Sequence, residues 1–186
     1  TTHDSDLIHR SQKSRTLNKD VRNNIKLNVD LTYKMRKYVY LAGPIEGCDD
    51  GEIHQWRDQC GHFFVDNITG INPYRAESNS DTPESRKRIT MKNYMDVRSC
   101  DLILANLPKH INDRRPSYGT TFEIAWGFSM QKPVVIVSDD VRVHDHPLMD
   151  ISGALFWDLE EAIDYVNILL EPYDALSTEF VVPVLN

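Results

Sequence analysis

From Tyr38 onward two kinds of pattern alternate along the chain. Short runs that are apolar at nearly every position, such as YVYLAG, DLILANL and KPVVIVSD, are separated by longer stretches in which apolar residues recur every three or four positions. The first kind predicts strands buried on both faces, the second amphipathic helices. In order, the pattern predicts a strand at YVYLAG, a helix from about Glu52 to Asp66, a strand at GINPY, and a polar loop, RAESNSDTPESRKRIT, running into a helix that ends near Ser99. DLILANL follows as a strand, YGTTFEIAWGFSMQ as a helix, KPVVIVSD and the short ALFW as strands, and DLEEAIDYVNILLE as a closing helix. Such alternation implies an α/β domain whose five-stranded parallel sheet is covered by helices on both faces.

The first 37 residues break this pattern. They carry nine Lys or Arg against four Asp, a net +5 that leaves −12 for the remainder of a chain whose formal charge is −7. They read as a polar basic arm, residues 38–173 as the α/β domain and 174–186 as a tail. The alternation in NIKLNVDLTY would let part of the arm add a strand to a sheet edge or to a partner subunit.

At 186 residues the chain has room for one such domain with appendages. The acidic balance argues against non-specific nucleic-acid binding, which needs a basic surface to displace counterions, and leaves small molecules as the expected ligands. Three cysteines, Cys48, Cys60 and Cys100, form no CxxC pair and suggest neither a disulfide framework nor a zinc knuckle. The start of the chain lacks an apolar leader, and no apolar run approaches the ~20 residues that cross a bilayer. A cytoplasmic protein with no membrane partner is expected.

In doubly wound sheets ligands bind beyond the carboxyl ends of the strands, at a topological switch point. Gly43 and Pro44 after the first strand, Asn106 at the end of the third, and the start of the helix carrying Glu123 should all fall at that edge. Gly43 would let backbone approach a ligand closely, or would simply turn the chain from strand to helix; GxGxxG is absent. The acidic residues that follow, Glu46, Asp49, Asp50 and Glu52, would repel a phosphate and suit hydroxyls or a neutral base. Ser117, Gly119, Thr120 and Thr121 lead into a helix whose free N–H groups could hold an anion or hydroxyl, or merely be capped.

Glu123 stands among Phe122, Ile124, Ala125 and Trp126. It is either a satisfied structural charge or a carboxylate held for chemistry. In the first turns of a helix the macrodipole would favour its ionised form, as a nucleophile requires. Asn93 and Asp96, three residues apart, share a helical face that is either solvated or turned to the site. Trp56 and Arg57 would line a pocket by stacking and hydrogen bonding, or form a half-buried Trp beside a salt-bridged Arg. His144 and His146 around Asp145 lack a third ligand at metal-site spacing and read as a polar loop.

Together, YLAGPI, then WR, then a helix ending in SCDLILANL, then YGTTFEIAWGFSMQKPVVIV with HP downstream resemble the nucleoside 2-deoxyribosyltransferase family and its relatives that hydrolyse deoxynucleoside monophosphates. The likeness spans roughly Tyr38 to Tyr173. It implies a flavodoxin-like three-layer fold, no metal or organic cofactor, and a homo-oligomer whose sites are completed by a neighbouring subunit. It implies that Glu123 attacks C1′ of a deoxyribose through an oxocarbenium-like transition state, forming a glycosyl-enzyme that a second base or water resolves, the logic of a retaining glycosidase. It further implies that Tyr40 and Gly43 contact substrate and that the His146-Pro147 region is the loop lent by the neighbour.

Two positions depart from the family pattern. Asn93 stands where an aspartate is usual, eight residues before the Asp of CDL; it can hydrogen-bond a base but supplies no proton, so either Asp96 serves as acid or catalysis is impaired. Ser117 matches the phosphate-binding Ser of the hydrolases, whereas Glu46 stands in place of their phosphate-binding Arg. The resemblance therefore implies deoxyribosyl transfer between bases first and hydrolysis of a deoxynucleoside monophosphate second. In that reading Glu123 is the nucleophile, Asn93 and Asp96 address the base, and Asn106, Ser117 and Tyr40 position the sugar. Gly43, Gly119, Trp56, Arg57 and His146 line the site. An NAD glycohydrolase and a non-catalytic nucleotide sensor are the readings from other classes.

Overall fold

The computed structural model describes residues 36–74, 82–109, 116–139 and 145–171. Residues 1–35 of the basic arm, with its proposed strand, His144 and the tail lie outside them, and the arm's last residue, Lys37, begins the first strand. In chain order the elements are β1 (Lys37–Ala42), α1 (Asp50–Phe63), β2 (Ile68–Ile71), α2 (Pro83–Ser99), β3 (Leu102–Asn106), α3 (Tyr118–Ser129), β4 (Val134–Val137), α4 (Pro147–Ser152), β5 (Ala154–Phe156) and α5 (Leu159–Leu170). The strands form one parallel sheet in the order β2-β1-β3-β4-β5, the flavodoxin-like arrangement.

Three boundaries differ from the pattern for local reasons. α1 begins at Asp50 because Asp49 caps it: Asp49 Oδ1 accepts from Glu52 N at 2.8 Å, and Glu52 Oε2 accepts from Asp49 N at 2.9 Å. Two of the acids expected to face a ligand are thus a capping box. β2 ends at Ile71, before NPY, where Pro73 lacks an N–H for the ladder and Asn72 Oδ1 accepts from Tyr74 N at 2.9 Å to turn the chain. The short α4 has too few residues to show a helical period; its signal is Pro147 at the first position behind the capping His146.

Because side chains alternate along a strand, each central strand feeds two cores. Val39, Leu41, Leu102, Leu104, Val135 and Val137 meet Trp56 and Cys60 of α1 and Ala162, Ile163 and Val166 of α5. Tyr40, Ala42, Ile103, Ala105, Val134 and Ile136 meet Val97 of α2 and Ile124 of α3. On α3 the buried residues are Thr120, Glu123, Ile124 and Gly127, the spacing of a single helical face. Gly127 is what allows α3 to lie this close to the sheet, since a Cβ there would stand 2.3 Å from Ile103 Cδ1. Contrary to the amphipathic pattern expected of it, α3 exposes Tyr118, Phe122 and Phe128, and its one charged residue, Glu123, is inside.

Candidate active site

β1 and β3 are neighbours in the sheet, but the chain leaves β1 toward β2 and returns to β3 on the other side, so the switch point lies between their carboxyl ends. Gly43 closes the end of β1. A Cβ on it would lie 2.6 Å from Trp56 Cζ2 and 3.2 Å from both Arg57 Nη2 and the Asn106 carbonyl oxygen, so these residues press on the turn and only glycine fits. Asn106, at the end of β3, is itself buried.

Three residues before Gly43, Tyr40 faces α2 and α3 and is fully buried. Its hydroxyl donates to Glu123 Oε1 at 2.6 Å, and Asn93 Nδ2 of α2 donates to the same oxygen at 3.2 Å. Two residues, one from β1 and one from α2, therefore converge on the α3 carboxylate, whose residue is 6% exposed. The outward oxygen of the amide, Asn93 Oδ1, is buried and lacks a hydrogen-bond partner among the described residues. Its orientation follows from the need to offer Nδ2 to Glu123.

Burial pushes the Glu123 carboxyl up to about 7, opposed by the Tyr40 hydrogen bond, the charge of Arg57 and the Asn93 hydrogen bond. The helix macrodipole does not decide its state. Glu123 is the sixth residue of α3, and the dipole acts mainly within the first turn. Tyr40 is raised above its ordinary value by burial first and then by the Glu123 charge, so it stays a donor.

A carboxyl whose folded value is about 7 against an ordinary 4.5 imposes a pH dependence on stability. Below the unfolded value the group is protonated in both states and costs nothing; as pH rises through 7 its contribution is lost. Glu123→Gln, which cannot ionise, should gain on the wild type by about 3 kcal/mol between pH 4 and pH 9. Denaturant unfolding of both proteins across that range checks this. A difference independent of pH would mean that Glu123 is not buried as described.

The other expected site residues are placed less centrally. Asp96 is buried, but its carboxylate is paired with Lys92 one turn earlier on α2. While that pair stands it has no proton to give. Ser117 precedes α3 without a side-chain cap bond to it, and its Oγ lies 2.8 Å from Thr120 Oγ1. Gly119 is exposed in the first turn of α3. His146 is exposed and its Nδ1 accepts from Leu148 N at 3.2 Å, within its own helix. Trp56 and Arg57, expected to line a pocket or to form a half-buried Trp beside a salt-bridged Arg, are both buried, and Arg57 is bonded to main-chain carbonyls.

Ser138, which the sequence did not single out, is buried just beyond β4, where its Oγ donates to Leu107 O at 3.1 Å and ties the ends of β3 and β4. Among the described residues no group of three or more His, Cys, Asp or Glu is placed to hold a metal ion. No described helix is long and apolar enough to cross a membrane.

A flavodoxin-like α/β/α protein with a buried carboxylate bonded to β1, one of the two switch-point strands, is the class that fold and site together define. A family model described as nucleoside 2-deoxyribosyltransferase matches residues 39–171. The chain belongs to that family. No curated protein matches it significantly. Among solved structures, a 2-deoxyribosyltransferase from Bacillus psychrosaccharolyticus is 18% identical with a TM-score of 0.53, over 72% of this chain and 95% of its own. A conserved protein from Enterococcus faecalis V583 is 14% identical with a TM-score of 0.53, over 72% and 99%. A 2-deoxyribosyltransferase from Leishmania mexicana is 23% identical with a TM-score of 0.45, over 56% of this chain, which spans 65% of that protein's length. At these identities the first two likenesses bear on the fold alone.

Proposed function

We propose that the protein transfers a 2-deoxyribosyl group between nucleobases, with Glu123 as the nucleophile that carries the sugar. The observation behind this reading is that the one charged residue of α3 is buried and bonded through a single oxygen to Tyr40 of β1 and Asn93 of α2. A structural carboxylate gains most from full neutralisation by a partner charge in contact. This one is held by two neutral donors and sits near its point of ionisation at neutral pH.

In the first half-reaction a Glu123 oxygen lone pair forms a bond to C1′ while the C1′–N bond breaks, and its electron pair leaves with the base. In the second half an acceptor base attacks C1′ and the C1′–O pair returns to Glu123. Asn93 Oδ1, an unsatisfied acceptor in the same place, is suited to a donor N–H on the base. The buried Gly43 turn and Asn106 position the sugar, and His146 belongs to the loop that a neighbouring subunit receives.

Glu46, exposed in the turn after Gly43, adds negative charge near the crevice and favours nucleosides over monophosphates. Incubation with deoxynucleosides plus a free acceptor base, deoxynucleoside monophosphates, ribonucleosides and NAD, with products separated by chromatography, tests the reading. Exchange of bases on deoxynucleosides is expected. Release of base without exchange, or cleavage of NAD alone, would replace it.

The reading includes a homo-oligomer. Met91 and Met95 on α2 and Tyr118 and Phe122 on α3 are exposed apolar side chains, Met95 and Phe122 each 61%, and Phe122 packs near Trp126, which meets Tyr94 of α2. Exposed apolar surface of this kind marks an interaction site. A Met95→Glu, Phe122→Glu double variant should shift light scattering to the monomer mass and lose turnover with it. An active monomer, wild type or variant, would contradict this part of the proposal.

A further inference from the structure

Among the described residues two side chains hydrogen-bond to the Glu123 carboxylate, and both reach the same oxygen: the Tyr40 hydroxyl at 2.6 Å and Asn93 Nδ2 at 3.2 Å meet at Oε1. Oε2 is left to bond C1′. The base must then leave from beside this carboxylate, and each described group close enough to protonate it is otherwise engaged. Tyr40 directs its one proton to Oε1 and is raised above its ordinary value by burial and by the Glu123 charge. Asn93 has no acidic proton, and Oδ1, on the same amide that bonds Glu123, is a buried acceptor without a partner. Asp96, one turn further along α2, is in contact with Lys92.

The described cations are engaged as well. Lys92 is held by Asp96, and Arg57 donates Nε to Leu41 O at 3.3 Å, Nη1 to Ile53 O at 2.5 Å and Nη2 to Gly43 O at 3.1 Å. A base departing as an anion would meet these engaged donors and the lone pairs of Asn93 Oδ1, which repel it. A base that is positively charged in the substrate and leaves as a neutral molecule meets neither difficulty.

We propose that the site acts on 2′-deoxynucleosides whose base leaves without being protonated by the enzyme, N7-alkylated purine deoxynucleosides foremost. This deepens the deoxyribosyl-transfer reading and rests on Glu123 being the nucleophile. In such a substrate the imidazole ring of the base carries a positive charge. As a Glu123 oxygen bonds C1′, the C1′–N9 bond breaks and its electron pair returns to that ring. The base departs as a neutral 7-alkylpurine, the carboxylate becomes a neutral ester, and no proton moves. An acceptor base then attacks C1′ with a nitrogen lone pair, the C1′–O pair returns to Glu123, and the acceptor's N–H proton goes to water. Before the first step cation and carboxylate attract each other, and Glu46, exposed in the turn after Gly43, adds to the negative side.

Initial rates of base release from 7-methyl-2′-deoxyguanosine and 2′-deoxyguanosine, with adenine as acceptor and the uncatalysed rate subtracted, test this. The methylated donor is expected to exceed the parent in kcat by about 10²-fold or more, the scale on which a positioned acid would otherwise act. An enzyme that protonates N7 would show the reverse, because the methyl group occupies the atom its acid must reach. A parent turned over as fast as the methylated donor, or faster, overturns the proposal. Asn93→Asp, which introduces a carboxyl, should speed the parent far more than the methylated donor. Should the methyl group prevent binding, a second pair decides: 5-fluoro-2′-deoxyuridine, whose base leaves more readily unprotonated, should outrun thymidine by about 10-fold or more, and equal rates overturn the proposal. A protein that transfers deoxyribose but ignores both orderings sinks this inference alone. One that acts on none of the four donors removes the deoxyribosyl reading, and the inference with it.

Discussion

Glu123→Gln is expected to lower deoxynucleoside turnover by about 10⁴-fold or more while the protein stays folded, the scale on which loss of a covalent nucleophile acts. The amide keeps the side chain's shape and an oxygen for the Tyr40 hydroxyl and Asn93 Nδ2, which now meet at Glu123 Oε1. What it removes is the lone pair at a charged oxygen able to bond C1′. A structural carboxylate would give the opposite pattern, with turnover nearly intact and stability lowered. Circular dichroism and an exchange assay on the same preparation separate the two, and retained turnover in a folded variant would remove Glu123 from the chemistry.

The second large effect is a gain. Departure of a nucleobase is assisted when an acid protonates it, and a positioned acid contributes about 10²- to 10⁴-fold. Neither residue first considered for that task is equipped for it: Asn93 has no proton to give, and Asp96 is engaged by Lys92. Asn93→Asp would set a second carboxyl against Glu123 where Nδ2 now stands 3.2 Å from it. Two carboxyls so close share a proton over part of the pH range, which yields one ionised nucleophile and one acid. Turnover should therefore rise by about 10²-fold or more, and the pH profile should become bell-shaped. If Asp96 is the acid after all, Asn93→Asp will change little and Asp96→Asn will be severe.

The strands were legible because LILA and VVIV are apolar at every position, and only a sheet covered on both faces suits such runs. Glu123 stood out for its apolar neighbours, and its burial follows from sharing a helical face with Ile124 and Gly127. Its protonation was not legible, because that depends on burial and on Tyr40 and Asn93, which lie 83 and 30 residues away in sequence and meet it only through the fold. Asp49 and Glu52 had the spacing of a capping box, yet their acidity drew them toward the ligand reading; local geometry took them first. The Lys92–Asp96 pair was similarly open to view as an i, i+4 spacing. The Arg57 clamp was not, because its acceptors are main-chain carbonyls that carry no residue signature.

The claim that Glu123 carries the sugar is tested most directly by mass spectrometry of the protein quenched in acid during turnover of a 2′-deoxynucleoside. One deoxyribosyl group per chain, located after proteolysis on the peptide containing Glu123 and missing from Glu123→Gln, is the predicted result. Base exchange at full rate with no adduct on that peptide, or an adduct on another residue, would contradict it.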